Sequence, residues 1–184
     1  MERIFRFAVK ALLLAFGIVA VTHVQTDCCR WINLASVPVK PIVAWWMLIA
    51  AVTTALREIR RGYYPLAVAI FELAMCIAGI LGVVGGLTLF FFTDSPSVPS
   101  VGTMLGFTLF WSVHILLQIE RIKHVKALYF LVVAVGAVGL LGHILDYPLL
   151  RYEFDGATNA MALSSAFFLI LLGLVAYSRE RQGP

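Results

Sequence analysis

The sequence predicts an all-α protein: a polytopic transmembrane bundle of about six helices, with both termini in the cytoplasm. Three observations carry this expectation. Of the 184 residues, 61% are hydrophobic and only 13% are charged, about half the charge of a soluble domain. One soluble core could not hide so much apolar surface, whereas hydrocarbon solvates it. The apolar residues also gather into six runs, 4–24, 41–56, 65–92, 101–119, 127–145 and 160–177, which make one transmembrane domain with short connections. Finally, Lys and Arg alternate along the chain. The N-terminus, the 57–64 and 120–126 turns and the tail after Tyr177 are basic, and the 25–40, 93–100 and 148–159 loops are poorer in Lys and Arg. Basic flanks stay in the cytoplasm, so all seven flanks give one orientation. The same reading accounts for the net charge of +4. No basic stripe interleaved with aromatics is present, so nucleic acid is not an expected partner.

The first run follows Arg3 and contains Arg6 and Lys10, as a signal peptide does. It is long for a signal segment, and no A-x-A-like site follows, so an uncleaved first helix is expected, with cleavage near Ala20 and Thr22 as the alternative. The second run begins at Pro41, whose missing N–H suits a first helical turn. With about 16 residues it is the shortest candidate span. The third run is the longest and carries Glu72, with Gly82 and Gly86 four apart on one face. The fourth holds Trp111, read as core filling, and His114. The fifth has Gly136, Gly139 and Gly142 at three-residue spacing and ends at His143, Asp146 and Pro148. Both glycine faces permit close helix approach, either inside the bundle or in a homo-oligomer. The sixth run leads to a tail rich in arginine.

Polar residues inside apolar runs are the best pointers to function, because each is unfavourable in hydrocarbon unless paired. Glu72 lies roughly 10 Å in from the cytoplasmic start of its run and His114 roughly 8 Å in from the cytoplasmic end of the next. Sequence-adjacent, antiparallel helices therefore bring the two to similar depth, where a hydrogen bond or ion pair is expected. It would serve proton transfer, a ligand pocket or helix pairing alone. A second group, His23, Asp27, Cys28, Cys29, His143 and Asp146, falls near the outer surface. Imidazole, thiolate and carboxylate are metal ligands, although the spacing matches no metal motif and ordinary interfacial polarity is the simpler reading. His23 and His143 also share a depth that two axial haem ligands would need. No cofactor is the leading expectation, with haem or a metal as alternatives. Walker loops, GxSxG, HExxH and DxD motifs are all absent from the sequence, so an enzyme is not the favoured reading.

The last third reads Gly142-His143-Ile144-Leu145-Asp146-Tyr147-Pro148, then a polar loop, then Ala160-Met161-Ala162-Leu163-Ser164-Ser165-Ala166, then a Leu-rich stretch ending in Leu172-Gly173-Leu174. This segment resembles the closing hairpin of the membrane modules that precede PAS, diguanylate-cyclase or histidine-kinase domains in bacterial signalling proteins. The resemblance implies a sensory or interaction module of a bacterial or archaeal cytoplasmic membrane. No output segment is read after Tyr177, so the resemblance fits a stand-alone relative, a piece of a longer protein, or a module acting through a separate cytoplasmic partner, the last being the expectation. A small proton-coupled or ion transporter subunit is the alternative, with Glu72 and His114 lining the path. An accessory haem or redox subunit of a membrane complex is the third reading.

Overall fold

The computed structural model describes residues 2–26, 39–59, 66–92, 99–120, 125–153 and 159–180. Among them are six α-helices and no strands: α1 Glu2–Thr26, α2 Pro41–Ile59, α3 Leu66–Phe92, α4 Val101–Glu120, α5 Tyr129–Ile144 and α6 Leu163–Glu180. Every helix limit falls within about three residues of the corresponding apolar run, inside the usual uncertainty of helix ends. Two helices contain stretches long and apolar enough to cross a membrane. These are Phe7–Thr26, with 20 residues and mean hydropathy 2.1, and Val68–Gly85, with 18 residues and mean hydropathy 2.3. The apolar stretches of the other four are shorter: Pro41–Leu56, Val101–Leu116, Tyr129–Ile144 and Leu163–Ser178.

Two boundaries differ from the sequence pattern for physical reasons. The fifth run opens as a 3-10 turn, Val125–Leu128, before the α-helix begins at Tyr129. The sixth run was expected to turn helical at Ala160, but α6 starts at Leu163. Met161 is tied to its neighbours instead: its N–H donates to the Arg151 carbonyl at 2.7 Å, and its own carbonyl accepts from His143. Helical bonding resumes with Ala166 N–H to the Ala162 carbonyl at 3.1 Å.

The closest-packed pairs are α5 with α6, α3 with α4, and α1 with α2. α6 also touches α1, α2 and α4, which puts it at the centre. An aromatic series marks that centre. Phe16 of α1 and Phe107 of α4 lie against Phe168 of α6, and Trp46 of α2 meets Phe107 edge to face at 5.6 Å. Edge-to-face pairs of this kind add about 0.5–1.5 kcal/mol beyond area burial. α3 is peripheral. It rests on α4, with only marginal contact elsewhere among the described residues.

The seam between α3 and α4 has a regular antiparallel register. Glu72 faces His114, Cys76 faces Ser112, Gly79 faces Thr108 and Gly82 faces Met104. A Cβ on Gly79 would strike the Thr108 side chain, and one on Gly82 would sit 3.0 Å from the Met104 sulfur. The second glycine stripe is likewise used within the chain. A Cβ on Gly136 would lie 2.6 Å from the Ala166 carbonyl oxygen, one on Gly139 2.7 Å from the Met161 sulfur, and one on Gly142 2.6 Å from the Arg151 nitrogen. Within the chain, α6 and the segments before it lie against the Gly136, Gly139 and Gly142 face. Gly82 is occupied by α4 in the same way, and Gly86 lies further along α3.

The C-terminal end of α5 closes with Asp146 in the left-handed region, φ 49°, and Tyr147 N–H bonded to the Gly142 carbonyl at 2.9 Å. That is the bond of a Schellman cap, with aspartate where glycine is usual. The 3-10 turn Pro148–Arg151 then folds back over the bundle, and Tyr152, also left-handed at φ 60°, enters between α4 and α5. Its ring occupies the space that a Cβ on Gly102 would need, and its hydroxyl donates to the Val135 carbonyl at 3.1 Å.

The outward faces of the helices are apolar too. Phe7, Leu12 and Ile18 of α1, Ile70, Leu73, Ile77 and Leu81 of α3, Phe130 and Leu131 of α5, and Phe167 of α6 are all exposed.

Candidate functional site

Glu72 lies in the second turn of α3 and His114 in the last third of α4. The antiparallel register of the two helices sets them side by side. His114 Nδ1 is 3.0 Å from Glu72 Oε1, and the side chains are 3% and 0% exposed. Aromatic rings close around the imidazole. Phe110 lies 4.2 Å away between ring centres, and Trp111 and Tyr129 meet it edge-on at 5.9 Å and 5.8 Å. Three helices therefore supply the enclosure: α3 the carboxyl group, α4 the imidazole with two of its rings, and α5 the tyrosine.

The chemistry follows from the donor set. One proton lies between a carboxyl and an imidazole, and the pair holds it either as neutral acid and neutral ring or as an ion pair. Either group can hold that proton, so the pair is a buried, protonatable clasp between two helices. One turn further along α3, Cys76 Sγ lies 3.2 Å from Ser112 Oγ, a second polar contact on the same seam. The Trp111 indole nitrogen is buried with no hydrogen-bond partner among the described residues.

Sequence reasoning singled out Glu72 and His114, and the structure brings them together. It did not single out Cys76, Ser112 or Tyr129. The first two were findable: once Glu72 faces His114, the antiparallel register puts the residue one turn after Glu72 against one just before His114. Tyr129 comes from another helix, and nothing in its sequence context marks it. Lys10 departs from expectation as well. Read as a topology charge, it is instead a buried side chain of α1.

The outer group is dispersed. The His143 Nε2–H donates to the Met161 carbonyl at 2.7 Å, so its ring nitrogen positions a backbone turn. Asp146 is exposed and pairs with Arg151 at 3.1 Å, and Arg151 also reaches Glu153 at 3.4 Å. His23 is buried in α1. Asp27, Cys28 and Cys29 lie outside the described residues. Among the described residues no group of three or more His, Cys, Asp or Glu side chains is close enough to hold a metal ion. A haem bound by His23 and His143 would need His143 to coordinate through Nδ1, since Nε2 carries the hydrogen donated to Met161.

Tyr152 is one of the titratable groups at the turn after α5. Burial pushes its phenol above the ordinary value of 10.0.

Comparison with known proteins finds no matching family model, no similar curated protein and no similar solved structure.

Proposed function

We propose that the chain is an integral protein of a bacterial or archaeal cytoplasmic membrane. Its six helices cross the bilayer with both termini in the cytoplasm. It works as a sensory or interaction module that signals to a cytoplasmic partner through the seating of α3. The observation that carries this reading is the Glu72–His114 clasp, a buried protonatable link on a helix that, among the described residues, packs almost entirely on α4. Such a helix has two seats available, clasped and released, and a ligand or proton that favours one shifts the population. The chain leading into α3 holds the basic Arg57–Arg61 segment, so a change in its seat would be felt on the cytoplasmic side. The apolar outward faces and the two long apolar helices support the membrane part.

A proton-coupled transporter subunit is the second reading, favoured by the continuation of the polar seam from Glu72–His114 to Cys76–Ser112.

The test has two parts. Carbonate washing should leave the protein in the membrane, and cysteines introduced at both termini should react only with reagents that reach the cytoplasm. Release by the wash would overturn the membrane reading. Cross-linking in cells should then recover a cytoplasmic partner whose yield changes several-fold in Glu72→Gln. Proton flux in liposomes that is lost in Glu72→Gln, with no such partner, would favour the transporter instead.

A further inference from the structure

α2 and α3 are consecutive helices, yet they do not close on each other. A cavity of about 390 Å³ lies between them. Trp45, Val52 and Leu56 form its α2 wall along one stripe, and Val68 and Phe71 form its α3 wall. Trp45, Val52, Leu56 and Phe71 are exposed, so the cavity opens sideways as a groove. Its one hydroxyl, on Thr53, is already bonded to the Ile49 and Ala50 carbonyls at 3.0 Å and 3.1 Å. The groove therefore asks nothing of an occupant except hydrocarbon.

From Trp45 to Leu56 the stripe is about 16 Å long at the helical rise, roughly half of a ~30 Å hydrocarbon core. That is the depth of one leaflet. In sequence, Leu56 at the C-terminal end of the stripe is followed directly by Arg57, with Arg60 and Arg61 beyond it. Basic residues next to the cytoplasmic surface attract anionic headgroups.

We infer that the α2–α3 groove binds one acyl chain of an anionic phospholipid of the cytoplasmic leaflet, with positive charge at the Arg57 end of α2 selecting the headgroup. The inference rests on the membrane reading above. It names the lipid as the ligand that the seating of α3 responds to, because α3 forms one wall of the groove and carries Glu72 directly after the wall residue Phe71.

The test uses the full chain purified in detergent, with phosphatidylglycerol and phosphatidylcholine as probes and native mass spectrometry as readout. Wild type and Ile42→Trp, a control on α2 that does not line the groove, should each retain one phosphatidylglycerol. Val52→Trp, which fills the groove, should retain at least about fivefold less. Arg57→Gln should keep a lipid but lose the preference for phosphatidylglycerol over phosphatidylcholine. Phosphatidylglycerol brominated on its acyl chain should quench wild-type tryptophan fluorescence more than that of Trp45→Phe, a readout that does not depend on Val52→Trp folding. Equal retention by Val52→Trp and wild type, no wild-type preference between the two lipids, or equal quenching in Trp45→Phe would each overturn the inference. Failure to retain lipid in a protein that withstands carbonate washing removes this inference alone, whereas release by the wash removes the membrane reading with it.

Discussion

Glu72 Oε1 and His114 Nδ1 are 3.0 Å apart on two helices, and neither side chain is more than 3% exposed. The bond that seats α3 on α4 thus has no water to replace it when it breaks.

Removing one partner should be far worse than weakening the bond. Glu72→Ala leaves His114 buried and short of a partner, and a broken buried pair destabilises by about 3–5 kcal/mol. Glu72→Gln keeps an oxygen acceptor in nearly the same place and should destabilise by only about 1–2 kcal/mol. Denaturation of the two variants in mixed micelles measures both. Equal losses would mean that an amide of the same size does not replace the carboxyl at all.

Ser112→Cys should form a disulfide with Cys76. The native Cys76 Sγ is already 3.2 Å from Ser112 Oγ, and a small rotation of both side chains brings two sulfurs to the bonding distance of about 2.05 Å. With Cys28 and Cys29 changed to serine, mild oxidation should yield the cross-link within one chain, read as a mobility shift reversed by reductant. A monomer that stays reduced would contradict the α3–α4 register.

Gly136→Ala should push α5 away from α6. The new methyl would lie 2.6 Å from the Ala166 carbonyl oxygen and 2.9 Å from Ile170. Backbone on that side does not yield cheaply, so a loss of about 1–3 kcal/mol is expected. Gly85→Ala is the control, since a Cβ there meets nothing within 4 Å. Comparable melting temperatures for the two variants would refute the close packing of α5 on α6.

Tyr152 gives the turn after α5 an alkaline limit. Its phenol is raised above 10.0 by burial, so the folded protein holds the proton to higher pH than the unfolded chain. Its contribution is fully present below pH 10 and is lost as pH rises from there through the folded value. Tyr152→Phe should remove that part of the alkaline loss, together with the hydrogen bond to Val135 worth about 1 kcal/mol at neutral pH. Thermal melts of both proteins across pH 8–11 (roughly the window in which the phenol titrates) make the comparison. Parallel curves would show that another group sets the alkaline limit.

The six helices were legible because each is a long apolar run, and such runs show in any hydropathy profile. The Glu72–His114 pair was legible from depth alone, since helical rise converts position in a run to distance along the bundle axis. What escaped depends on partners that sequence does not name. The start of α6 is delayed because Met161 spends its backbone groups on Arg151 and His143. Tyr152 looked like any polar-loop aromatic, yet its ring fills a gap that only Gly102 leaves. The Gly136–Gly142 stripe announced a close contact correctly, but a stripe of small residues cannot tell a second copy from the chain's own α6. Lys10 carried the same charge as its topology-setting neighbours, and only the packing of α1 revealed that it is buried.

The central position of α6 has a consequence for cooperativity. Phe168 is the ring on which Phe16 of α1 and Phe107 of α4 converge. A change at that one ring loosens α1 and α4 at once, so the helices around α6 gain and lose order together rather than pair by pair.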